Sequence, residues 1–261
     1  MKLPLFQLDT FTDKPFAGNA AAVCPLPRWI DDSLMQAIAA ENNLPETAFF
    51  VGARGSYHLR WFTPVTEVDL CGHATLASGF VVLNELEPDR DEVKFQTRSG
   101  ELAVRRSDEG LAMDLPSQPP RPCVVPPELI QGLGVDPVEV LASEDFLVVL
   151  ENEEAVRAIT PDFNLLRKLP LRGVIVTAPG SVEYDFVSRF FGPKVGVDED
   201  PVTGSAHCAL TPYWAEKLQK SEMIARQVSA RGGILRCSLG DGRVALSGKC
   251  VKYLAGEIFI E

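Results

Sequence analysis

Short runs rich in β-branched and aromatic residues, separated by turn residues, outnumber helical patterns along this chain. In the first half they predict strands near Leu3–Thr10, Ala48–Val51, Tyr57–Thr63, Val93–Gln96, Leu102–Arg106 and Leu111–Leu115. In the second half they predict strands near Phe146–Leu150, Gly173–Ala178, Asp185–Phe191, Ile234–Leu239, Arg243–Ser247 and Glu257–Glu261. The pattern is typical of an α+β protein whose sheets are mostly antiparallel.

Four segments have a helical pattern instead. One extends from about Ser33, a plausible N-cap, to Asn42, and a second from His73 to about Leu86. The second is apolar on nearly every face until its last turn, so we expect it to be buried with strands around it. The other two are Pro161–Leu169 and Ser205–Lys217, and Pro212 inside the latter predicts a kink.

One phrase occurs twice. Arg60-Trp-Phe-Thr-Pro64 precedes Cys71-Gly-His-Ala74, and Arg189-Phe-Phe-Gly-Pro193 precedes Thr203-Gly-Ser-Ala206. The arginines lie 129 residues apart (189 − 60) and the glycines 132 apart (204 − 72), about half of the 261 residues. We therefore expect two copies of one unit, each a curled, mostly antiparallel sheet around a central helix. The N-termini of two such helices, aimed into one cleft, would attract a small anionic substrate.

A proline-rich stretch divides the two copies. Leu115–Pro127 contains six prolines in 13 residues and predicts an interdomain linker. The sequence therefore predicts an N-terminal barrel-helix domain over 1–116, a linker over 117–127 and a C-terminal barrel-helix domain over 128–261.

Charge and composition exclude several classes of function. The formal net charge is −11, which argues against nucleic acid and anionic membranes as partners because both need a clustered basic surface. No segment is predicted to be a signal peptide or a membrane span, which favours a cytoplasmic protein. The six cysteines are scattered and form no C-x-x-C pair, and no nucleotide-binding or metal-ligand motif is present. The sequence thus supports neither a disulfide nor a metal site, and it indicates no cofactor.

Four blocks carry a resemblance to a known family. They are Phe16-Ala-Gly-Asn-Ala-Ala-Ala-Val23, Leu44-Pro-Glu-Thr-Ala-Phe-Phe50, Asp69-Leu-Cys-Gly-His-Ala-Thr75 and Asp198-Glu-Asp-Pro-Val-Thr-Gly-Ser-Ala-His207. In order and spacing they resemble the phenazine-biosynthesis isomerase-like (PhzF-like) family, over essentially the whole chain. The resemblance implies the diaminopimelate-epimerase fold, an active site between two similar domains, proton-transfer chemistry without a cofactor, and commonly a homodimer. At Ala20 the chain departs from the family's usual Gly-Asn-Pro.

The resemblance also implies roles for individual residues. Glu46 is the catalytic acid/base, and His73, Asp200 and Ser205 complete the polar site. Gly72 and Gly204 open the two central helices and, with Asn19, are expected to bind substrate. The phenazine member of the family isomerises trans-2,3-dihydro-3-hydroxyanthranilate. By resemblance, Glu46 would remove a proton from one carbon of a small cyclic carboxylate and return it to another.

The residues themselves give separate reasons for part of this assignment. Glu46 follows a rigid Leu44-Pro45 approach and precedes an apolar run, which should partly desolvate its carboxylate and raise its pKa. On local evidence a glutamate at the rim is the commoner case. His73 lies at a helix start, where the dipole favours neutral imidazole, although a structural histidine in a core helix fits equally well. Asp200 before Pro201 also fits a turn, and Asn19 fits a backbone-shaping role.

Two alternatives from other classes remain at this point. Epimerases that use two opposed thiols have a cysteine before the glycine in each repeat. Here Cys71 occupies the first such position but Thr203 the second, and a threonine hydroxyl is a far poorer base than a thiolate. A Cys71-dependent amino-acid epimerase or dehydratase is thus less favoured but open. A non-catalytic binding protein with this fold is the other alternative. His58 and His207 are predicted to be structural.

Overall fold

The computed structural model describes residues 1–260 and divides into two compact units. The first contains Met1–Asp114 together with the segment that begins at Ser247, and the second contains Leu115–Leu246. None of the helices in residues 1–260 combines the length and the apolar character that crossing a membrane requires.

Strands are the commonest regular elements in both units. In chain order they are β1 (Lys2–Thr10), β2 (Asn19–Pro25), β3 (Glu46–Ala53), β4 (Ser56–Phe62), β5 (Glu67–Val68), β6 (Glu92–Thr97), β7 (Gly100–Ser107), β8 (Gly110–Pro116), β9 (Arg121–Pro122), β10 (Glu139–Ala142), β11 (Phe146–Val149), β12 (Val174–Pro179), β13 (Phe186–Gly192), β14 (Val197–Asp200), β15 (Glu222–Gln227), β16 (Gly233–Gly240), β17 (Arg243–Gly248) and β18 (Cys250–Phe259).

The helices are fewer and mostly short. They are α1 (Asp32–Asn42), α2 (Gly72–Val81), α3 (Pro127–Leu133), α4 (Glu153–Ala158), α5 (Phe163–Leu166) and α6 (Gly204–Leu218). A π-helical turn, Val82–Leu86, continues α2, and a 3₁₀ turn, Pro193–Val195, follows β13.

In the first unit the strands surround α2. Strand β1 pairs antiparallel with β18 and β2, β2 runs parallel to β3, and β3 pairs antiparallel with β4. Strand β4 runs parallel to β6, which continues antiparallel into β7 and β8. Helix α2 contacts β1, β2, β3, β7 and β18, and almost all of its side chains are buried. Because each fully buried Leu or Val contributes about 1.5–3 kcal/mol, the apolar sequence of α2 accounts for its central position.

The second unit repeats this order. Strand β11 runs parallel to β12, β12 pairs antiparallel with β13, β13 runs parallel to β15, and β15 pairs antiparallel with β16. Helix α6 packs on β15 and β16. Its Trp214 stacks on Phe186 of β13 and donates its indole N–H to the Thr177 hydroxyl at 3.0 Å. The second unit is therefore also built around a central helix.

The repeated arginines have the same role in both units. Arg60 forms a two-pronged ion pair with Glu67 at 2.7 and 2.8 Å, and Arg189 forms one with Glu199 at 2.7 and 2.9 Å. Each glutamate lies on the short strand that follows, β5 or β14. Each guanidinium also lies over the phenylalanine two positions on in its own strand, at 5.2 and 4.8 Å. The two-copy prediction is confirmed in topology and in these contacts.

Several predicted elements and their bounds need correction. Helix α1 begins at Asp32 rather than Ser33, and α2 is α-helical only to Val81. Helix α6 continues through Pro212 to Leu218, and the helix predicted over 161–169 is a single turn, α5. The predictions missed β2, β5, β9, β10, β14, β15, α3 and α4. Strand β18 spans Cys250–Phe259 rather than starting at Glu257, and Glu261 lies outside the described residues.

The predicted domain boundaries are also corrected. The segment from Ser247 belongs to the first unit, because β18 pairs with the whole length of β1, from Lys2↔Phe259 to Thr10↔Cys250. The proline-rich segment belongs to the second unit instead of being a free linker. There β9 pairs with β10, and the Gln118 amide donates to the Cys208 carbonyl at 2.9 Å.

Candidate active site

Three predicted site residues meet at the start of α2 in the first unit. Glu46 is the first residue of β3, His73 is the second residue of α2, and Asn19 is the first residue of β2. His73 Nε2 lies 3.1 Å from Glu46 Oε2, and His73 Nδ1 lies 3.2 Å from Asn19 Nδ2. Asn19 is fully buried, while the side chains of His73 and Glu46 are 6% and 15% exposed. Each edge of the imidazole therefore has its own polar neighbour.

Strand register and a tight turn bring these residues together. Strands β2 and β3 are parallel with Ala21 opposite Glu46, so both begin at the same edge of the sheet. Gly18 precedes β2 with φ +64°, and a Cβ there would lie 2.0 Å from the Thr10 carbonyl oxygen. Because no side chain fits that approach, glycine is required for the turn that delivers Asn19 to the site. The local reading of Asn19 as a turn residue missed its side-chain contact with His73.

The electrostatics of His73 differ from the prediction. Burial alone would lower its pKa, but Cys71 and Glu46 outweigh burial and hold the pKa of His73 well above 6.5. Burial, with the Glu46 charge, raises the pKa of Cys71 to about 11, so this thiol is neutral near pH 7. For His73 the direction of the pKa shift is opposite to the one expected from the helix dipole. A carboxylate at 3.1 Å outweighs a partial charge at a helix end.

Cys71 is buried beside the same ring. It precedes α2 at the N-cap position, and its Sγ lies 3.5 Å from His73 Nδ1. The thiol therefore contacts the site, but as a neutral group near pH 7 it is a poor base and a poor nucleophile.

Glu46, Cys71 and His73 each offer one metal-ligand atom, and these atoms lie within 4.8 Å of one another. The thiol lies beside Nδ1 and the carboxylate beside Nε2, on different edges of the ring. A tetrahedral ion can take one ring nitrogen, so it cannot use both close contacts at once.

In the second unit Asp200 belongs to a cluster at the N-cap of α6. The Thr203 hydroxyl donates to Asp200 Oδ2 at 2.6 Å. The fully buried Gln227 accepts from the Thr203 amide at 2.9 Å and donates to the Asp200 carbonyl at 2.7 Å. Thr203, the counterpart of Cys71, thus holds the Asp200 carboxylate in place. Gln227 was missed because its strand, β15, was not predicted.

Ser205 has different partners from Asp200. As the second residue of α6 it accepts a hydrogen bond from Arg172 Nη2 at 3.0 Å. Arg172 in turn forms a two-pronged ion pair with the buried Asp145, in which Nε lies 3.0 Å from Oδ1 and Nη2 lies 2.5 Å from Oδ2. Arg172 and Asp145 were missed by sequence reasoning. The signal that could have found them is an Arg-Gly pair at the start of a predicted strand.

The central helices lack the capping that the other helices have. Neither α2 nor α6 has a side-chain cap or an acidic residue in its first turn. Each other helix has at least one of these: Asp32 in α1, Glu128 in α3, Asn152 before α4 and Asp162 before α5. The first N–H groups of a helix have no acceptor within the helix. Gly72 and Gly204, as the first residues of α2 and α6, are therefore placed where a bound anion would be stabilised.

His207 is buried in α6 away from this chemistry. Its Nδ1 donates to the Thr203 carbonyl at 2.8 Å, and burial lowers its pKa to about 4. It is therefore neutral near pH 7, in agreement with the structural role predicted for it.

Comparison with known proteins agrees with this site and fold. The family model described as phenazine biosynthesis-like protein matches residues 8–126 and 132–256. An isomerase of Pseudomonas aeruginosa is 54% identical over 260 residues and is covered, like this chain, over 100% of its length. The crystal structure of a PhzF-family phenazine biosynthesis protein from Enterococcus faecalis superposes with a TM-score of 0.96 at 45% identity, covering 100% of both chains.

A more distant likeness concerns the fold alone. A probable proline racemase from Agrobacterium radiobacter is similar with a TM-score of 0.63 at 8% identity, over 99% of this chain and 93% of that one. The likeness shows that the two proteins share a fold. The chain belongs to the phenazine biosynthesis-like (PhzF) family and, like its curated relatives, it is an isomerase.

Proposed function

We propose that the enzyme moves a proton between two carbons of a small cyclic carboxylate without a cofactor, and that Glu46 is the general acid/base. The observation that carries this proposal is the contact of 3.1 Å between a largely buried Glu46 carboxylate and the buried His73. A positioned carboxylate with one oxygen near a cationic partner can accept a proton and return it within the same site.

The reaction we infer is balanced within the substrate. Glu46 takes a proton from a ring carbon, and the electron pair of the broken C–H bond enters the conjugated system. The same carboxyl group then delivers the proton to another ring carbon, and Glu46 returns to its starting charge. His73 stabilises negative charge that develops on the ring. A compound like trans-2,3-dihydro-3-hydroxyanthranilate has the required activated carbon and carboxylate.

The second unit supplies groups suited to holding an anion. We infer that Ser205, Asp200 and the first amides of α6 form a corner that can hold an anion, and that Asn19 and the first amides of α2 support Glu46 in the first unit. The uncapped starts of α2 and α6 support a carboxylate as the group that is bound.

Deuterium incorporation tests this proposal directly. The protein is incubated in D₂O with trans-2,3-dihydro-3-hydroxyanthranilate and a panel of unsaturated cyclic carboxylates, and each compound is followed by NMR. We expect deuterium at ring carbons with the wild-type protein and at least a 100-fold slower rate with Glu46→Gln. A folded Glu46→Gln variant that exchanges as fast as the wild type would contradict the proposal.

A second candidate uses Cys71 in place of Glu46, and its supporting observation is the 3.5 Å contact of Cys71 Sγ with His73. The pKa of Cys71, which is raised to about 11, and the presence of Thr203 at the counterpart position disfavour this candidate. Inactivation by a thiol-alkylating reagent, prevented by bound substrate analogue, would favour the thiol mechanism. Cys71→Ala with near-normal activity would exclude it.

We also propose that the enzyme forms a homodimer through β18. This strand pairs with β1 on one side, and its residues 252–257 are exposed on both faces. Tyr253, Leu254 and Phe259 are 50%, 41% and 72% exposed, and Phe16 packs edge-to-face on Tyr253. Exposed aromatic and aliphatic side chains on one strand are a surface that a second copy of the same strand can cover. Light scattering of a Tyr253→Lys/Leu254→Lys variant should show a monomer, and a monomeric wild type would refute the dimer.

A further inference from the structure

The strand register gives each residue of one unit a counterpart in the other. Thr47 pairs with Phe62 in the first unit, and Val174 pairs with Phe191 in the second. The two phenylalanines occupy the same place in the repeated phrase, so Thr47 corresponds to Val174. One step back along each strand, Glu46 corresponds to Gly173, and the next step makes Pro45 the counterpart of Arg172.

Gly173 cannot carry a side chain. A Cβ at this position would lie 2.5 Å from the Phe190 ring and 2.8 Å from the Phe191 carbonyl oxygen. The second unit therefore has no place for a base where the first unit has Glu46. The functional group at this corner comes instead from the preceding residue, Arg172.

The two corners have matching geometry. In the first unit Glu46 lies 3.1 Å from the second residue of α2, His73. In the second unit Arg172 lies 3.0 Å from the second residue of α6, Ser205. The repeat thus places a charged side chain beside the start of each central helix. That side chain is acidic in the first unit and basic in the second.

The hydrogen-bond directions fix what Ser205 can do. Arg172 Nη2 has two hydrogens, one for Asp145 Oδ2 and one for Ser205 Oγ. Because the serine oxygen accepts from Arg172, its own hydrogen is left to point away from the guanidinium. We propose that Arg172 is a positioning residue that makes the Ser205 hydroxyl a donor to the anionic group of the substrate. This inference rests on the proposed function and adds a specificity residue to it.

Arg172 is well held for this role. Its guanidinium lies 5.4 Å from the Phe190 ring centroid, and Nη1 lies 3.7 Å from Glu144 Oε1. Asp145, with its side chain 3% exposed, holds the Arg172 guanidinium through two hydrogen bonds. Because Asp145 and Glu144 balance the guanidinium charge, Arg172 acts by directing the Ser205 hydroxyl, and the positive end of α6 is what favours an anion.

Binding of anthranilate, a ring carboxylate without a proton to move, tests the proposal by calorimetry, with inorganic sulfate as a second probe. Arg172→Gln alone would leave Asp145 buried without its partner, so the main variant is Arg172→Gln/Asp145→Asn, which removes both charges. We expect this variant to fold and to bind anthranilate about ten- to 100-fold more weakly. Arg157→Gln, which removes an exposed i,i+4 ion pair in the same unit, is the matched control and should bind normally.

Two further readouts separate positioning from stability. Adding Ser205→Ala to the double variant should weaken binding little further, because Arg172 acts through Ser205. With an active substrate the double variant should raise KM much more than it lowers kcat, and Arg172→Lys should recover part of the affinity. Wild-type affinity in the folded double variant, additive losses with Ser205→Ala, or no binding of either probe to the wild type would each overturn the proposal. Failure of Glu46→Gln to slow exchange would overturn the proton-transfer mechanism instead, since anthranilate binding does not depend on it.

Discussion

The corner before each central helix is built on the same strands in both units, yet the chemistry differs. The first unit has Glu46, His73 and Asn19 there, with an acid facing a histidine whose pKa is raised. The second has Arg172 and Ser205, with a guanidinium facing a hydroxyl. The framework contacts, two-pronged ion pairs from Arg60 and Arg189, are alike. The two units thus share a scaffold and differ in the charged group that this corner carries.

The largest expected effect concerns Glu46, which has no counterpart in the second unit. Glu46→Gln keeps size and hydrogen bonding but removes the group that carries the proton, so turnover should fall about 100- to 10,000-fold. Anthranilate affinity should change little, because the anion-binding groups remain. Initial rates and calorimetry measure the two quantities separately.

Cys71→Ala is the matched control for this prediction, since it alters the same cluster without touching a proton carrier. Most of the activity should remain. An inactive Cys71→Ala beside an active Glu46→Gln would reverse the assignment and make the thiol the reacting group.

The second largest expected effect is on the pH dependence of the unfolding free energy, to which His207 and His73 should contribute with opposite signs. His207 has a pKa of about 4 when folded and about 6.5 when unfolded, so only the unfolded chain binds its proton between these values. The stability it contributes is complete above pH 6.5 and is lost as pH falls toward 4, by about 2–3 kcal/mol. Urea unfolding at pH 7 and pH 5 should show a smaller difference for His207→Gln than for the wild type. His58→Gln, at an exposed position, should leave the difference unchanged.

His73 should show the opposite sign. Its folded pKa is raised, so its stabilisation is complete below pH 6.5 and is lost as pH rises through the folded pKa. Removing the facing charge with Glu46→Gln should flatten the fall in unfolding free energy on the alkaline side. An unchanged alkaline slope in that variant would show that Glu46 does not hold the His73 proton.

A smaller effect is expected where the second unit excludes a side chain. Gly173→Ala would force its Cβ against Phe190 and the Phe191 carbonyl, at a cost of about 1–3 kcal/mol in unfolding free energy. Gly240→Ala, in the same unit with nothing within 4 Å of the added Cβ, is the control and should be near neutral. If Gly173→Ala were as stable as the control, the steric account of the missing base would be wrong.

The smallest effect tests the shared framework. Arg60→Lys and Arg189→Lys each lose a two-pronged ion pair with a partly buried glutamate, at about 1 kcal/mol. Arg189→Lys should cost somewhat more, because Arg189 also donates to the Ile159 carbonyl at 2.8 Å, just after α4. Equal thermal midpoints for both variants and the wild type would remove the framework role.

The repeat and both buried helices could be predicted because they depend on local patterns. The repeated phrase is visible in the sequence, and α2 is apolar on nearly every face. Strand β2 was missed because its Ala20-Ala-Ala22 run has no strand preference of its own. The segment is a strand because it pairs with β1 and β3, and its small residues allow α2 to pack closely on it. Local sequence cannot show such packing.

The site was predictable in part for the same reason. The family blocks predicted Glu46, His73, Asp200 and Ser205 as site residues. The contact of Asn19 with the His73 ring and the ion pair of Arg172 with Asp145 were not predicted, because each joins residues far apart in sequence. The charge state of His73 also depends on a neighbour 27 positions away (73 − 46). Distances between such groups follow from strand register, which a single sequence specifies only weakly.

The return of β18 to β1 has a consequence for synthesis on the ribosome. The second unit is one continuous segment, Leu115–Leu246, and has its whole chain available before the first unit does. The first unit, although it is made first, must wait for the closing strand Cys250–Phe259, and Leu3, Leu8 and Phe11 lie in its core. Domains usually fold in the order of synthesis, and here we expect the reverse. A chain truncated after Gly248 should resist protease in the second unit while the first is still cut, and equal resistance would disprove the inversion.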